Sequence, residues 1–256
     1  MAEKKIFFMH MPKCAGSSIY DLFSSHYKVL GFAETFLPDI AALREATGEI
    51  DFVGGHIRIH DMMQIVGSDP NYRCFTIMRD PVEQLASHLC WIKRYNLDER
   101  RNDYGQLDLF TRRLVDELKL VDFADPGHLD HFLTHLPAKG LIYFDNMQSR
   151  YLLNEHRSEW KEWQPVTLNL THHILENLSR FEFVGHMSRP ERTLEMVRSR
   201  FFPQSDAISL PVTNVNTLEE KIDTGNPMIV DVLKKRLNVD LWLSREILHR
   251  IDNSQY

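Results

Sequence analysis

The chain has little cysteine: three in 256 residues, Cys14, Cys74 and Cys90, with no C-x-x-C pair among them. A sparse, odd set argues against a disulfide framework and suits a reducing compartment. Nor is positive charge in excess. Thirty Lys and Arg against thirty-six Asp and Glu leave a net charge of −6, so nucleic acid is a poor default partner. Most of the basic pairs Lys93-Arg94, Arg100-Arg101, Arg112-Arg113 and Lys234-Lys235 read as solvated helix faces, although a local basic cluster could still bind an anion. No apolar run approaches the ~18 residues of a membrane span, and the N-terminal "MAEKKIFFM" carries too short an apolar stretch for a secretory signal. The expectation is a cytoplasmic protein with no membrane span. Repeats, low-complexity tracts and linkers are also lacking, which predicts a single domain over residues 1–256. Absent too is the Walker sequence G-x-x-x-x-G-K-[ST].

Four short apolar stretches read as strands: residues 5–11, "DFVGGHIRI" at 51–59, "RCFTIMRD" at 73–80 and "FEFVGHM" at 181–187. Helical patterns fall at 82–95, 107–120, 128–136, 145–154 and 171–179. A further helical region begins at 226 and includes the amphipathic "VDLWLSREILHRI". Strands alternating with helices predict an α/β fold with a central parallel sheet flanked by helices. Ligands of such sheets sit at the carboxyl ends of the strands. The first strand runs into Lys13, the second into His56 and Arg58, and the third into Arg79, so these side chains are expected to converge there.

In "IFFMHMPKCAGSSIYDLF" (6–23) a strand gives way to a small-residue loop and then a helix opened by Ser17 or Ser18. Backbone N–H groups in such a turn, together with a helix N-terminus, favour an anion. Gly16 allows close backbone approach, the two serines add hydroxyl donors, and Lys13 adds a full charge at the rim. Read alone, the stretch is equally an ordinary strand–turn–helix junction with a solvent-facing lysine. In "IMRDPVEQLASHLCW" (77–91), Asp80, Pro81 and Glu83 form an N-cap, N1 and N3 set. Arg79 stands at the strand–helix joint and Ser87 two turns along, a pair able to clamp a second phosphate. An Arg-Asp ion pair at a cap is the plainer reading. Two anion sites on neighbouring strand ends imply a nucleotide with phosphates at both ends.

These stretches resemble the sulfotransferases. "HMPKCAGSS" is similar to their 5′-phosphosulfate loop, and "MRDPVEQLASHLCW" to their 3′-phosphate motif, in which a Ser follows the Arg by eight residues, as Ser87 follows Arg79. "GGHIRI" resembles the Gly-His strand of the heparan 2-O and 6-O carbohydrate sulfotransferases, and "DNMQSRYL" their Asn-x-Gln-x-Arg-x-Leu segment. Weaker similarity runs through "FVGHMSRPERTLEMV" and the C-terminal helix. The resemblance implies a P-loop-like sulfotransferase fold. It further implies transfer of a sulfuryl group from 3′-phosphoadenosine 5′-phosphosulfate to a hydroxyl of a carbohydrate, glycolipid or small metabolite. It assigns His56 as base and Lys13 as the cation on the leaving phosphate. The nucleotide would be held by Lys13, Cys14, Ala15, Gly16, Ser17, Ser18, Arg79 and Ser87. Arg58, Gln148 and Arg150, which flank or continue the motifs, are candidates for the acceptor cleft. No metal is expected, because the moving group carries less charge than a phosphoryl group and a lysine can serve where kinases use Mg²⁺. Cys14 and Ala15 stand where the family usually has Thr and Gly; neither change removes a backbone donor.

Other readings stay open at this point. Cys14 beside Lys13 at a helix N-terminus could be a low-pKa nucleophile, although Tyr20 occupies the position where a tyrosine-phosphatase-like loop has its Arg. A P-loop kinase-like phosphotransferase would want the Walker Lys-Ser/Thr, and a non-catalytic nucleotide-binding protein would need no base. His128, His131 and His135 share helical spacing but lack partners at ligand spacing. "TNVNT" (213–217) is a candidate loop over the adenine. Acceptor identity and oligomeric state are not legible.

Overall fold

A computed structural model of the chain describes residues 5–36, 42–43, 45, 49–67, 71–154, 160–205, 207–210 and 221–256; the 213–217 stretch lies outside them. β1 (Lys5–Met9) leads through a loop to α1 (Gly16–Ser24), followed by β2 (Val29–Leu30), β3 (Phe52–Gly55), α2 (Ile59–Val66), β4 (Tyr72–Met78) and α3 (Pro81–Lys93). A helical region comes next: α4 (Arg101–Gln106), α5 (Leu109–Lys119), α6 (Pro126–Thr134), α7 (Leu141–Phe144), α8 (Met147–Leu152) and α9 (Thr171–Leu178). Then come β5 (Phe183–His186), α10 (Pro190–Phe201), α11 (Pro227–Lys234) and α12 (Asn238–Asp252).

The five strands form one parallel sheet in the order β2-β3-β1-β4-β5, with Phe7 of β1 opposite Val53 on one side and Cys74 on the other. β1, β3, β4 and β5 are buried on both faces over most of their length, which is why the sequence shows apolar runs rather than alternation. Phe7, Met9, Val53, Cys74 and Val184 face α2, α9 and α12. Ile6, Phe8, Phe52, Phe75 and Phe183 face α1 and α10 in an aromatic layer, with Phe8 and Phe183 stacked on Phe75 at 4.8 and 5.2 Å. A third cluster contains helices only: Leu85 and Leu89 of α3 with Leu114 and Leu118 of α5, Phe132 of α6 and Leu233 of α11. Among the described residues no helix is long and apolar enough to cross a membrane.

Chain direction places a crevice. From β1 the chain departs toward β2 and β3, and from β4 it departs toward β5 at the opposite edge. Adjacent strands whose connections leave in opposite directions open a cleft beyond their carboxyl ends. The loop bearing Lys13 follows one of them and Arg79 the other.

Three expectations needed correction. The 51–59 stretch is strand only through Gly55; Ile59, Met62 and Ile65 form the buried face of α2, a period too short to separate from a strand's apolar run. Helix α10 was not anticipated, because its stripe of Thr193, Val197 and Phe201 is diluted by Glu191, Arg192, Glu195, Arg198 and Arg200. Two-residue β2 carries no pattern at all. The Asp80 cap is as expected: its carboxylate accepts from the N–H groups of Val82 and Glu83 at 3.0 and 3.1 Å, with Pro81 at N1.

Phe75 is fully buried and touches aromatic rings from β1, β5 and α10. Phe75→Ala should therefore lower the unfolding free energy by about 3–5 kcal/mol, read from urea denaturation. A loss below about 1 kcal/mol would mean that the aromatic layer does not organise the core.

Candidate active site

The loop after β1 turns twice through the left-handed region, at Lys13 (φ 66) and Ala15 (φ 60). That conformation disfavours residues with a Cβ, and tertiary contacts hold it. Between the two, Cys14 is fully buried, its S–H within reach of Gln148 Oε1 at 3.7 Å and Pro12 O at 3.6 Å. Burial pushes the Cys14 thiol up to about 12, so it stays protonated at neutral pH. This removes the thiolate-nucleophile reading. Helix α1 starts at Gly16, one residue before the expected serines, and its N-cap Ala15 makes no side-chain capping bond. The N-terminus of α1, the end of a helix that carries partial positive charge, thus directly follows the loop that bears Lys13. Gly16 is not in the left-handed region. A Cβ there would fall 1.8 Å from His10 Nε2, so its close neighbour is an imidazole.

On the β4 side, the buried amide of Gln148 accepts from the Arg79 N–H and donates to the Arg79 C=O, both at 3.0 Å. It pairs with the strand–helix joint as a neighbouring peptide would. The N–H groups of Gln148 and Ser149 and the Ser149 hydroxyl donate in turn to the Asp240 carboxylate at 3.1, 2.7 and 2.5 Å. Burial raises Asp240 to about 6 despite these donors. The Arg79 guanidinium reaches Glu83 at 3.2 Å. Glu83 and Ser87 are half-buried on the outward side of α3, and Arg94, seven residues beyond Ser87, lies on the same face at helical periodicity.

Arg94 was read from sequence as part of a solvated pair. It now stands with Lys13 and Arg79: burial holds the Lys13 ammonium below the usual lysine range, and the charges of Arg94 and then Arg79 push the same way. Among the described residues neither Lys13 nor Arg94 has an acidic side chain as an ion-pair partner.

Across the crevice, β3 delivers His56. Its backbone N–H donates to Glu34 at 3.0 Å, and its Nδ1 lies 3.0 Å from the His10 carbonyl. A carbonyl can only accept, so Nδ1 carries the hydrogen and Nε2 is left as the acceptor. The His10 ring lies 4.2 Å from that of His56. Neither His10 nor Glu34 was identified from sequence; a histidine three residues before Lys13 was the available signal. Also near is His88 of α3, buried and without a hydrogen-bond partner on either ring nitrogen among the described residues. Burial, then the charges of Lys13 and His56, push it down to about 3.

The acceptor candidates divide. Arg58 is half-buried at the N-cap of α2 and ion-paired with Glu162. Gln148 and Arg150 belong to the interior, not to a cleft. Arg150 is 1% exposed and donates to the Asp145 carboxylate at 2.6 Å and to the carbonyls of Asp145, Glu162 and Gln164 at 2.5, 2.6 and 2.9 Å. His128, His131 and His135 are exposed on or just beyond α6, the last two with rings 4.2 Å apart. No protein-family model matches the chain, and no curated protein matches it in sequence.

Buried imidazoles give the fold an acid limit. His88 is held at about 3 and His186, bonded to Ser244 Oγ at 2.9 Å, at about 4. Unfolded, each titrates near ~6.5, so below that pH the unfolded chain binds protons the folded one refuses. Stability should fall as pH drops from ~6.5 toward ~4, by up to about 1.4 kcal/mol per pH unit per histidine. Asp240, raised to about 6, acts oppositely for one proton over part of that window. Denaturant titrations at pH 7, 6 and 5 should show this slope, and His88→Leu should flatten it by about one proton. An unchanged slope would show that His88 titrates alike in both states.

Proposed function

We propose that the protein is a sulfotransferase that moves a sulfuryl group from 3′-phosphoadenosine 5′-phosphosulfate to an acceptor hydroxyl. The observation that carries this reading is the cation cluster. Lys13, Arg79 and Arg94 are each half-buried, and Lys13 precedes the N-terminus of α1; burial first, and then the charges of Arg94 and Arg79, lower the basicity of Lys13. A bound anion of high charge relieves that repulsion. The Arg79–Ser87 spacing suits a second phosphate eight residues from the joint, and the strand order sets both groups beside the same loop.

In this reading the Lys13 ammonium faces the phosphosulfate, with the first-turn N–H groups of α1 beneath it. Arg79 and Ser87 hold the 3′-phosphate, and Arg94 adds charge between the two groups. His56 Nε2 takes the proton of the acceptor hydroxyl as its oxygen bonds to sulfur. The bond from sulfur to the 5′-phosphate oxygen breaks, and Lys13 offsets the charge gathering on that oxygen. A non-catalytic nucleotide-binding protein would have no use for an imidazole whose Nδ1–H is fixed by a carbonyl and whose Nε2 is left to accept. A metal-dependent phosphotransferase would want a hydroxyl after the lysine, where this chain has Cys14.

Adenosine 3′,5′-bisphosphate should bind much more tightly than ADP by calorimetry. Arg79→Ala and Arg94→Ala should each cost about 1.5–3 kcal/mol of that affinity, the value of a charge-assisted hydrogen bond, and Ser87→Ala about 1 kcal/mol. Equal affinity for ADP and the bisphosphate would overturn the assignment.

His56→Ala should lower turnover by about 10²–10⁴-fold while leaving bisphosphate affinity nearly unchanged. Lys13→Ala should lower both, because its charge faces phosphate before and during transfer. Radiolabel transfer to mixed hydroxyl acceptors reads turnover, and melting curves check folding. A stably folded His56→Ala protein with wild-type turnover would place the base elsewhere, with His60 next.

A further inference from the structure

His10 lies between β1 and the loop, and its ring is enclosed on several sides. It stacks on Phe8 at 5.5 Å and 15°, meets Tyr20 edge-on at 5.7 Å, and lies over His56 at 4.2 Å and 30°. Its backbone grips the end of β3: the N–H donates to the Gly55 carbonyl at 2.9 Å, and the carbonyl faces His56 Nδ1 at 3.0 Å. On another side the ring fills the space that a side chain at residue 16 would need. A Cβ on Gly16 would sit 1.8, 1.9 and 2.4 Å from Nε2, Cε1 and Cδ2 of His10. One imidazole therefore touches both the residue that opens α1 under the loop and the imidazole that follows β3.

We propose that His10 is a positioning residue whose ring wedges between Gly16 and His56, holding the anion loop and the base in fixed register. The inference rests on the reading of His56 as the base. It accounts for a glycine that backbone geometry does not require. Gly16 opens α1 without a left-handed φ, so its backbone conformation is one that alanine adopts as readily. The wedge forbids the alanine. It also gives His10 a role distinct from proton transfer, because its ring is packed among Phe8, Tyr20, His56 and Gly16. Burial first, then the charges of His56 and Lys13, keep that ring neutral by holding its pKa well below the usual range.

Three variants test the wedge: His10→Ala, Gly16→Ala, and the two combined. His10→Ala should lower kcat by about 10- to 100-fold, the scale of a misplaced catalytic group, with bisphosphate affinity within about twofold. Gly16→Ala should weaken bisphosphate binding and turnover together, since the new methyl drives the ring into the loop. The combined variant removes the clash, so bisphosphate binding should return while turnover stays at the His10→Ala level. Nitrogen NMR of the nucleotide-free protein supplies a readout that does not depend on the reaction. Wild-type His56 should be a single tautomer with hydrogen on Nδ1 and a through-space contact to the His10 ring, and His10→Ala should mix the tautomers. Wild-type binding and turnover in Gly16→Ala, full turnover in the combined variant, or an unstacked pair by NMR would each overturn the proposal. Should His10→Ala not fold, Gly16→Ala and the wild-type spectrum still decide. Failure of the wild-type protein to bind the bisphosphate, with the stack present, would count against the sulfotransferase reading and leave the wedge standing.

Discussion

The positive charge set against the half-buried Lys13, by Arg79 beyond the carboxyl end of β4 and by Arg94 at the end of α3, is the constraint on which the rest of the site depends. Burial lowers the basicity of Lys13 most, and the like charges of Arg94 and then Arg79 lower it further. The amino end of α1 adds positive potential from the same direction. Among the described residues the acid that pairs into this group is Glu83, bound to Arg79 across one helical turn. Such an arrangement persists only if the surrounding structure forces it. Three separate devices do so: the left-handed turns at Lys13 and Ala15, the helical periodicity that brings Arg94 round to the Ser87 face, and the amide clamp on Arg79.

The clamp shows how distant sequence enforces local geometry. α12 supplies Asp240, whose carboxylate binds the N-terminus of α8, and α8 supplies Gln148, whose amide binds the Arg79 backbone and meets the Cys14 thiol. Contacts spanning 69 to 134 positions thus hold both the β1 loop and the β4 joint. Asn146 continues the network, its side-chain oxygen accepting from the N–H groups of Val239 and Asp240 at 2.8 and 3.0 Å. Every member is buried and hydrogen-bonded. Loss of one partner therefore strands several others, and the energetic penalty is that of orphaned polar groups rather than of one bond.

The sheet and the convergence of Lys13, His56 and Arg79 were legible because buried parallel strands leave apolar runs and because the residue after a strand inherits its place at the sheet edge. Gln148 and Arg150 were misplaced in kind. Their motif was visible, but polar side chains near a site read as ligand contacts when nothing in one sequence tells that they are buried. Arg94 was hidden by its neighbour Lys93, which made it look like a solvated pair until the helix showed which way each faces. His10 was overlooked because its part is tertiary: it touches Phe8, Tyr20, His56 and Gly16, of which only Phe8 is close in sequence. Glu34 lies in a short turn (Ala33–Phe36) without periodicity, and nothing local links it to His56.

The site brings cations and imidazoles together, with His10 and His56 toward β3 and His88 on α3. His10 and His88 are kept unprotonated by burial first and by the Lys13 charge in addition. While the crevice is empty, any proton brought to an imidazole there meets an uncompensated positive field. An anion beside Lys13 cancels much of that field, and the same proton then arrives at lower free energy. By linkage the converse holds: protonation of an imidazole in the crevice strengthens the hold on an anion.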